Sequence, residues 1–331
     1  MSTQPSRRRF LAYALPAAAV LSVPHRIFAQ GMPETARILN GYVPGGSLDT
    51  ISRKLAERMT GRWARNVIVE NKPGAAGRLA VEALRNSAAD GTHMLVTPGS
   101  VVTMYPHIYK QLSYDVFRDL APVSIVAVSG FALAVGPAVP VTVRTFDDFV
   151  AWCKANPGGA NCGNPGAGSF PHFMAMLLAR DAKVALTHVP FQGGLTAMRA
   201  VAGGQVAAAL STEASAVGLE QAGRIRVLAT SGNERSAFLA QAPTFREIGY
   251  PNLSQREWFA AFMPARTPAS STSAAAEAIR TVMREPEVRD VWHRAALSAE
   301  VSTPTELLQA MHAEYDFWGP IIRASNFSPE S

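Results

Sequence analysis

Strand-length apolar runs alternate with segments of helical periodicity along most of the chain. In the first half, "ARILNGYV" precedes "LDTISRKLAERM", and "NVIVEN" precedes "AGRLAVEALRNS". Strands that alternate with helices in this way predict parallel strands joined by crossover helices, and a doubly wound sheet is the simplest architecture that accommodates them. The sequence therefore predicts an α/β fold.

A second set of alternating elements runs from "TFDDFVAWCKANP" to "IRVLAT" and does not repeat the sequence of the first. From "TPAS" onward the chain has helical spacing only. At 331 residues, of which 48% are apolar, the chain is long enough for two domains. Because no long Pro-rich linker separates the two sets, we expect two α/β lobes in contact, with a ligand cleft between them.

Residues 1 to 29 have the composition of an export signal. Arg7, Arg8 and Arg9 precede an apolar stretch from Phe10 to Val23, which is shorter than the roughly 20 residues that span a membrane. We expect cleavage after Ala29. The basic start resembles the twin-arginine export pattern, and an arginine-rich general secretory signal is the alternative. Either route takes the protein out of the cytoplasm, and we expect it in the periplasm.

Export removes most of the net positive charge. The whole chain has 31 basic and 25 acidic residues, a formal net charge of +6, but residues 1 to 29 contain four arginines and no acidic residue. The exported chain therefore has a net charge near +2, and no basic stripe is interleaved with aromatic residues. Nucleic-acid binding is not expected.

Cys153 and Cys162 are the two cysteines of the chain. An oxidising compartment permits a disulfide between them. Cys153 lies in a predicted helix and Cys162 in the following strand, and a disulfide requires their Cα atoms to lie within roughly 7 Å. The alternatives are one disulfide or two buried free thiols.

The segment "VPGGSLDT" predicts a turn from a strand into a helix. Pro44 fixes the turn, and Gly45 and Gly46 let the backbone bend without a Cβ. Ser47 or Asp49 can cap the following helix. Free backbone N–H groups at a helix start favour an anion.

The segment "CGNPGAGSFPHF" predicts a second turn of this kind in the other half of the chain. Gly163, Gly166 and Gly168 let the backbone approach a ligand closely, and Ser169 is the predicted cap. Two such turns, one in each lobe, favour a carboxylate held in the cleft. Each turn alone also occurs for purely structural reasons in α/β proteins.

The sequence lacks the motifs of the common enzyme classes. It has no G-x-G-x-x-G, no G-x-x-x-x-G-K-[ST], no G-x-S-x-G and no H-E-x-x-H. We therefore expect no catalysis, no cofactor and no bound metal. His172, near Ser169, is interpreted as a polar cap or a partly buried spacer rather than as a base. Glu213 ends a predicted strand and is either a cleft residue or a solvated acid.

Many segments, taken in order, add up to a family. They are "YVPGGSLDTISR", "VIVENKPGAAG", "DGTHMLVTPGS", "YDVFRDLAPVSIVA", "NCGNPGAGSFPHF", "THVPFQGGLTAMRAVAGGQVAAAL", "GRIRVLATSGNERSAFLAQAPTFREIGYP" and "WFAAFMPARTP". The chain after residue 29 closely resembles the Bug-type extracytoplasmic solute receptors of tripartite tricarboxylate transporters. The resemblance implies a two-lobed type II periplasmic binding protein fold, in which residues 30–128 and 252–331 form one lobe and residues 129–251 the other.

The resemblance also implies the function: the lobes close by hinge motion on a small carboxylate, without catalysis, and deliver it to the permease subunits of a tripartite tricarboxylate-type transporter in the membrane. It assigns the ligand to four segments, whose residues are Pro44, Gly45, Gly46, Ser47 and Asp49; Thr97, Gly99 and Ser100; Gly163, Asn164, Gly166, Ala167, Gly168 and Ser169; and Phe191, Gln192 and Gly193.

One segment departs from the family pattern. After "GGQV" the family usually has an acidic residue, and a further Asp closes the strand, where this chain has Ala207 and then Ser211 and Glu213. In amino-acid-binding members an acid there can meet the ligand's ammonium group. The departure argues against an amino-acid ligand unless Glu213 substitutes, so Ser211 and Glu213 are further candidates for the site.

Two other functions stay open from the sequence. The same fold could present its closed form to a membrane receptor kinase as a sensing adaptor, or the chain could be a secreted enzyme. The ligand is open among dicarboxylates, aromatic acids and small cyclic acids. A monomer is expected because it is the usual state of this class.

Overall fold

The computed structural model describes residues 32–329, so the predicted export signal and its cleavage site lie outside the described residues. No described helix has the length and apolar character needed to cross a membrane. The strands are β1 (Thr35–Asn40), β2 (Asn66–Asn71), β3 (His93–Pro98), β4 (Leu120–Ser129), β5 (Phe131–Val135), β6 (Asn161–Asn164), β7 (Thr187–Pro190), β8 (Ala208–Thr212), β9 (Arg226–Thr230) and β10 (Glu257–Pro264). The helices are α1 (Ser47–Met59), α2 (Arg78–Arg85), α3 (Gly99–Thr103), α4 (Tyr105–Ile108), α5 (Val116–Asp119), α6 (Phe146–Ala155), α7 (Phe170–Ala182), α8 (Gly194–Ala202), α9 (Glu213–Gln221), α10 (Ala269–Met283), α11 (Pro286–Arg294) and α12 (Pro304–Ala324).

The first sheet has the strand order β2-β1-β3-β10-β4. β1 is parallel to both neighbours, with Ile38 opposite Val69 of β2 and Met94 of β3. Ile38 and Met94 are fully buried, and Val69 is partly buried. The apolar runs read from the sequence therefore form the parallel part of this sheet.

The second sheet has the strand order β7-β6-β8-β5-β9. β6 is parallel to β7 and β8, whereas β5 is antiparallel to both β8 and β9. In the first sheet β10 is likewise antiparallel to β3 and β4. The expectation of parallel strands is therefore confirmed for β1 to β3 and β6 to β8 but wrong for β5 and β10. Each of these two strands is the first that the chain enters when it passes from the other sheet. Parallel neighbours require a crossover connection within one sheet, and neither strand is reached through one.

The chain passes from one sheet to the other twice. β4 ends at Ser129 and β5 begins at Phe131, so Gly130 alone separates them. The return runs from the end of β9 at Thr230 to the start of β10 at Glu257. The first sheet is thus built from two separated stretches of the chain.

Ser231 links the two passages. Its hydroxyl accepts a hydrogen bond from the Phe131 N–H (2.8 Å) and donates to the Gln255 carbonyl, and its own N–H donates to the Phe131 carbonyl (2.9 Å). Ser231 is fully buried. These bonds satisfy backbone groups that would otherwise be buried without partners.

The apolar cores lie on the faces of the sheets. One is formed by the first sheet with α1, α10 and α11, where the indole Nε1–H of the buried Trp292 donates to the Val126 carbonyl (2.8 Å). A larger core joins the two sheets: the ring of Phe131 in β5 stacks on Phe170 of α7, which contacts Trp318 of α12, with both pairs of ring centroids 4.9 Å apart. The C-terminal helix α12 therefore packs against elements of both sheets.

Cys153 lies in α6 and Cys162 in β6, as predicted, and both are buried free thiols. The second of the two alternatives for this pair is the one the structure has.

Candidate functional site

A cavity of about 450 Å³ lies at the end of both sheets where their parallel strands finish. The turns that follow the parallel strands β1, β3, β6, β7 and β8 all contribute to its lining, as do the first residues of the antiparallel strands β5 and β10. Of the predicted site residues, those that line it are Gly46, Ser47, Asp49, Ser100, Gly166, Ala167, Gly168, Ser169 and Gly193. Carboxyl ends of parallel strands are the usual place for a ligand in α/β folds.

The first glycine turn delivers the start of α1 to this cavity. Gly45 has φ +92°, a conformation that favours glycine, and Gly46 is the N-cap residue of the helix. No side chain caps α1, so the prediction that Ser47 or Asp49 caps it is wrong: Ser47 is already the first helical residue. The N–H groups of its first turn therefore lack a side-chain acceptor within the described part of the chain.

Asp49 holds this turn rather than capping the helix. Its Oδ2 accepts hydrogen bonds from the Gly45 N–H (3.0 Å) and Arg53 Nε (2.8 Å), and its Oδ1 accepts from Asn71 Nδ2 (2.9 Å). The Asn71 amide also donates to the Tyr42 carbonyl (3.0 Å). The carboxylate thus ties the turn to α1 and to the end of β2.

The charge of Asp49 is fixed by these bonds. Desolvation of the buried side chain acts to raise its pKa, but the hydrogen bonds from Arg53, the Gly45 N–H and Asn71 outweigh it and lower the pKa. Asp49 is therefore an anion at neutral pH whose charge is compensated mainly by Arg53.

The second glycine turn is capped as predicted. Ser169 is the N-cap residue of α7, and its hydroxyl accepts from the His172 N–H (3.3 Å) and donates to the Gly166 carbonyl (2.7 Å). Gly166 and Gly168 have φ values of +143° and +76°. A Cβ on Gly166 would meet no atom within 4 Å, so its side-chain position is open.

His172 is a structural residue of this turn, as the sequence suggested. Its Nδ1 accepts a hydrogen bond from the Gly168 N–H (3.0 Å), and its ring stacks on that of His188 with 3.8 Å between centroids. Burial, with a smaller contribution from His188, lowers the pKa of His172 to about 4. The imidazole is therefore neutral at neutral pH, as its acceptor role requires.

Asn164, which was predicted to bind ligand, is engaged within the protein and does not line the cavity. Its Nδ2 donates to the carbonyls of Pro171 (3.2 Å) and Leu210 (3.3 Å), and its Oδ1 accepts from the His188 ring N–H (2.7 Å). It joins β6 to β7, β8 and α7. The remaining predicted residues that lie outside the cavity lining are Pro44, Gly45, Thr97, Gly99, Gly163, Phe191, Gln192, Ser211 and Glu213.

Two further helices of the second sheet begin at the cavity. Gly193, the N-cap residue of α8 (φ +106°), and Thr212, the N-cap residue of α9, both line it, and neither offers a side-chain cap. Ser211 lies behind them, fully buried, where a Cβ on Gly194 would overlap its hydroxyl. Ser211 therefore packs against Gly194 at the start of α8 and does not line the cavity.

In the turn after β3, the hydrogen-bond donors of Ser100 are already occupied. The Ser100 N–H donates to Glu257 Oε1 (3.1 Å), and its hydroxyl donates to Glu257 Oε2 (3.2 Å). Glu257, the first residue of β10, lines the cavity and is only 8% exposed. Desolvation raises its pKa to about 7, against the lowering effect of the hydrogen bonds from Ser100 and the Gly99 N–H.

Sequence reasoning missed Glu257 and the aromatic side chains that line the same cavity. The aromatic residues are Tyr42, Tyr105, Tyr109, Phe131, Phe170 and Phe259. The guanidinium of Arg78 lies over the Tyr109 ring, 3.7 Å from its centroid, but does not line the cavity. Among the described residues that do, none is Lys, Arg or His. A bound anion would therefore rely on backbone and hydroxyl donors.

Glu213 belongs to a second cavity, also of about 450 Å³, which lies beside the two passages between the sheets. Its Oε2 accepts from the Ser236 hydroxyl, and burial raises its pKa. Ser298 and Arg256 line the same cavity. Glu213 is therefore neither a solvated acid nor part of the lining of the first cavity.

No group of three or more His, Cys, Asp or Glu side chains within residues 32–329 is arranged to hold a metal ion. The backbone N–H and hydroxyl groups at the helix starts around the first cavity suit an anion, whereas its two carboxyl groups, Asp49 and Glu257, do not.

Residues 51–327 match the family model described as "Tripartite tricarboxylate transporter family receptor". A Cupriavidus necator protein, described as the UPF0065 protein in the gbd 5' region, is 32% identical over 290 residues, which cover 86% of this chain and 87% of that protein. Protein BugT of Bordetella pertussis is 27% identical over 283 residues, which cover 85% of this chain and 86% of BugT.

Solved structures share the fold. One described as a periplasmic transporter has a TM-score of 0.78 at 26% identity and covers 89% of this chain and 98% of its own. Rpa4515 of R. palustris with adipate has a TM-score of 0.78 at 22% identity, with coverage of 89% and 98%. MatC of Rhodopseudomonas palustris with bound malate has a TM-score of 0.74 at 23% identity, with coverage of 87% and 99%. The α/β fold expected from the sequence, with two sheets as in periplasmic binding proteins, is confirmed.

Proposed function

The chain belongs to the receptor family of tripartite tricarboxylate transporters, and from that premise we propose that it is a periplasmic receptor that binds a small carboxylate between two lobes. Members of this family are solute-binding receptors. Two structural relatives were solved with malate and adipate, both of which are carboxylates.

The observation that carries the proposal is the convergence of helix starts on one cavity. α1 comes from the first sheet, and α7, α8 and α9 come from the second, and the first residues or N-cap residues of all four line the cavity. Each helix start presents backbone N–H groups and the positive end of a helix dipole. An anion between them would be shared by both sheets.

We propose that the ligand carboxylate lies between the turns at Gly46–Ser47 and Gly166–Ser169, and that residues 30–128 with 252–331 and residues 129–251 are the lobes that close on it. The two passages between the sheets would serve as the hinge, because they are the covalent connections between the sheets within residues 32–329. Closure follows from linkage: a ligand that contacts both lobes only when they are shut shifts the population to the closed form.

The rest of the proposed pathway follows from the family. The protein would be exported, by the twin-arginine route or by the general secretory route that the sequence of residues 1–29 leaves as the alternative, and as a monomer would deliver its ligand without chemical change to permease subunits in the membrane. Recovery of the ligand unchanged after incubation with the purified protein would support a receptor, whereas turnover would favour an enzyme.

The test is thermal unfolding of the exported chain, stripped of ligand by partial denaturation and refolding, against a panel of carboxylates and amino acids. A ligand at about a hundred times its Kd adds roughly 2.7 kcal/mol to the free energy of unfolding, which raises the Tm of a chain of this size by a few degrees. We expect a shift with one class of acid. No shift across the panel, for protein shown to be folded, would contradict the proposal.

A matched pair of variants tests the location of the site. Gly166 and Gly223 both have positive φ values and open space where a Cβ would be, but only Gly166 lines the cavity. Gly166→Ala should weaken the affinity for the ligand at least about tenfold, which is 1.4 kcal/mol. Gly223→Ala places a Cβ on another positive-φ glycine (φ +65°) outside the cavity and should leave the affinity unchanged. Equal effects of the two variants would show that strain, not the site, is responsible.

A further inference from the structure

The cavity lined by the helix starts is also lined by a buried acid without a cationic partner. Glu257 is more than nine-tenths buried and lines the cavity, and its carboxyl is held by the N–H and hydroxyl of Ser100. All of these donors are neutral, and no cationic side chain is among the groups that act on it in the described part of the chain. A buried carboxyl group without a cation invites either a proton or a positively charged ligand group.

The groups that face Glu257 from neighbouring elements are also neutral or acidic. They are Tyr42 after β1, Tyr105 of α4 and Glu314 of α12. Burial, followed by the proximity of Glu257, raises the pKa of Glu314 to about 8, and Glu314 accepts hydrogen bonds from Trp258 Nε1 (2.7 Å) and the Thr103 hydroxyl (3.2 Å). Two cations act on these neighbouring groups: Arg78, whose guanidinium lies over the ring of Tyr109, acts on Tyr105, and Arg256 acts to lower the pKa of Glu314.

Aromatic rings line the cavity beside the acid. Tyr42, Tyr105 and Phe259 contribute their rings to the lining, and within the described residues no Lys or Arg side chain lies over any of the three. Aromatic faces attract ammonium groups, so rings beside an ionised carboxyl group add to its attraction for one. The same rings supply apolar surface for a ligand side chain.

We propose that the ligand is an ammonium carboxylate, an α-amino acid with an apolar or aromatic side chain, whose ammonium group pairs with Glu257 while its carboxylate lies at the helix starts. The inference rests on the proposed carboxylate-binding function and specifies its ligand. A dicarboxylate would place its second negative charge against Glu257 or among aromatic rings, with no cationic side chain in the lining to compensate it.

This assignment replaces the acid expected from the sequence. The family position after "GGQV" is Ala207 here, and Glu213, the residue considered as its substitute, lines the other cavity. Glu257 reaches the ligand cavity from a different strand, β10 of the first sheet. The ammonium and carboxylate of one ligand would thus be held partly by different sheets.

The proposal fixes the sign of the pH dependence. Because the empty protein has Glu257 with a pKa of about 7, it is largely protonated at pH 6 and largely ionised at pH 8. An ammonium ligand binds the ionised form and releases the proton, so its affinity should rise about tenfold from pH 6 to pH 8. A ligand without an ammonium group should show no rise, since an anion near Glu257 favours the protonated form.

The experiment is isothermal titration of the exported chain with matched pairs that differ only in the ammonium group: L-phenylalanine and 3-phenylpropionate, L-leucine and 4-methylpentanoate, L-glutamate and glutarate. At pH 8 we expect one of the apolar amino acids to bind at least about tenfold more tightly than its partner, which is 1.4 kcal/mol, and glutamate to bind more weakly than that amino acid.

Two variants locate the effect. Glu257→Gln should remove the preference for the amino acid and its pH dependence. Glu213→Gln changes a carboxyl that is equally buried but outside this cavity, and should keep both. The Tm of each variant confirms that it is folded, and the pH series on the unaltered protein stands even if Glu257→Gln does not fold.

The outcomes separate this inference from the function on which it rests. If a carboxylate without an ammonium group binds more tightly than its amino-acid partner, or if the affinity of the amino acid falls as the pH rises, the ammonium assignment is overturned and the carboxylate receptor stands. Loss of the preference in Glu213→Gln with retention in Glu257→Gln also overturns the assignment. If no carboxylate of either kind binds to folded protein, the proposed function fails together with the inference.

Discussion

Two carboxyl groups line one cavity, and their surroundings move their pKa values in opposite directions. Asp49 has a cationic partner, Arg53, and its pKa is lowered, whereas Glu257 has only neutral donors in a buried position and its pKa is raised to about 7. The first is a fixed anion that shapes a turn. The second is an acid whose ionisation we expect a bound ligand to determine. The same residue type near a cavity therefore carries different roles, which depend on its partners.

Replacement of Asp49 tests its role in shaping the first glycine turn. Asp49→Asn removes the negative charge of the side chain that accepts hydrogen bonds from Arg53 and the Gly45 N–H. We therefore expect a loss of about 1.5–3 kcal/mol in the free energy of unfolding at pH 7. We also expect a loss of affinity for the ligand, because the start of α1 is less well fixed. Urea denaturation and calorimetry measure the two effects.

The pH dependence of this difference has a definite sign. A lowered pKa in the folded state stabilises the protein above the unfolded-state pKa of about 3.9, and the contribution is lost as pH falls through the folded-state pKa. The gap between the unaltered protein and Asp49→Asn should be full at pH 7, begin to narrow below about pH 4 and close as the pH falls below the folded-state pKa. Asp147→Asn, an exposed acid in the first turn of α6, is the control and should change stability by less than about 0.5 kcal/mol. A gap that does not depend on pH would contradict this account.

The two thiols give a second prediction at this scale. Burial raises the pKa of Cys153 to about 11 and that of Cys162 to about 12, so neither is a thiolate at pH 8. In the folded protein we expect no reaction with a thiol-specific reagent over minutes. After unfolding in guanidinium chloride without reductant, both thiols should react. No reaction after unfolding, with reaction restored by reductant, would show that the protein forms the disulfide instead.

At the scale of elements, glycines set how closely helices approach the second sheet. Gly136 directly follows β5, and a Cβ there would overlap the carbonyl oxygen of Val201 in α8. Gly218 lies on the exposed side of α9, where a Cβ would meet nothing within 4 Å. The same substitution should therefore have opposite effects at the two positions.

Gly136→Ala should lower the free energy of unfolding by about 1–3 kcal/mol, because the obstacle is backbone and α8 must shift as a whole. Gly218→Ala should raise it by about 0.5–1 kcal/mol, because alanine restricts the unfolded chain and favours the helix. Denaturant midpoints of the two variants measure both changes. If Gly136→Ala were as stable as the unaltered protein, the close approach of β5 and α8 would be in doubt.

The directions of the strands explain which residues of the candidate site the sequence could predict. The turns at Gly46 and Ser169 follow parallel strands, so the rule that ligands lie at carboxyl ends led to them, and the cap at Ser169 was visible as a local pattern. Glu257 is at the amino end of its strand. The amino end of β10 lies beside the carboxyl end of β3 because the two strands are antiparallel, with Phe259 opposite Pro98. A pairing between residues so distant in sequence leaves no local pattern.

The remaining differences have similar causes. Whether Asp49 caps α1 or holds Gly45 depends on the turn geometry, and the placement of Glu213 beside a second cavity depends on the path of the chain from Thr230 to Glu257. Periodicity predicted which segments are helices and strands, because apolar spacing is a local property. The contacts that decide the role of a side chain are non-local.

For the molecule as a whole, the two passages between the sheets are the only covalent links between them within residues 32–329. Ser231 ties these links together through its bonds to Phe131 and Gln255, so they are expected to bend as a unit. The aromatic contacts of Phe170 with Phe131 and with Trp318 lie at the same junction. Relative motion of the sheets would therefore be a hinge motion rather than a separation.

Closure on a ligand gives the last prediction. A compound that calorimetry shows to bind should lower the radius of gyration in small-angle X-ray scattering, because under the proposed hinge motion helix starts from both sheets close on it together. Glutarate or another compound that calorimetry shows not to bind, at the same concentration, is the control and should leave the radius unchanged. Gly166→Ala, which should bind weakly, should compact only at correspondingly higher ligand concentration. A bound ligand that leaves the radius unchanged would mean that the empty protein is already closed, and the hinge would then have no part in binding.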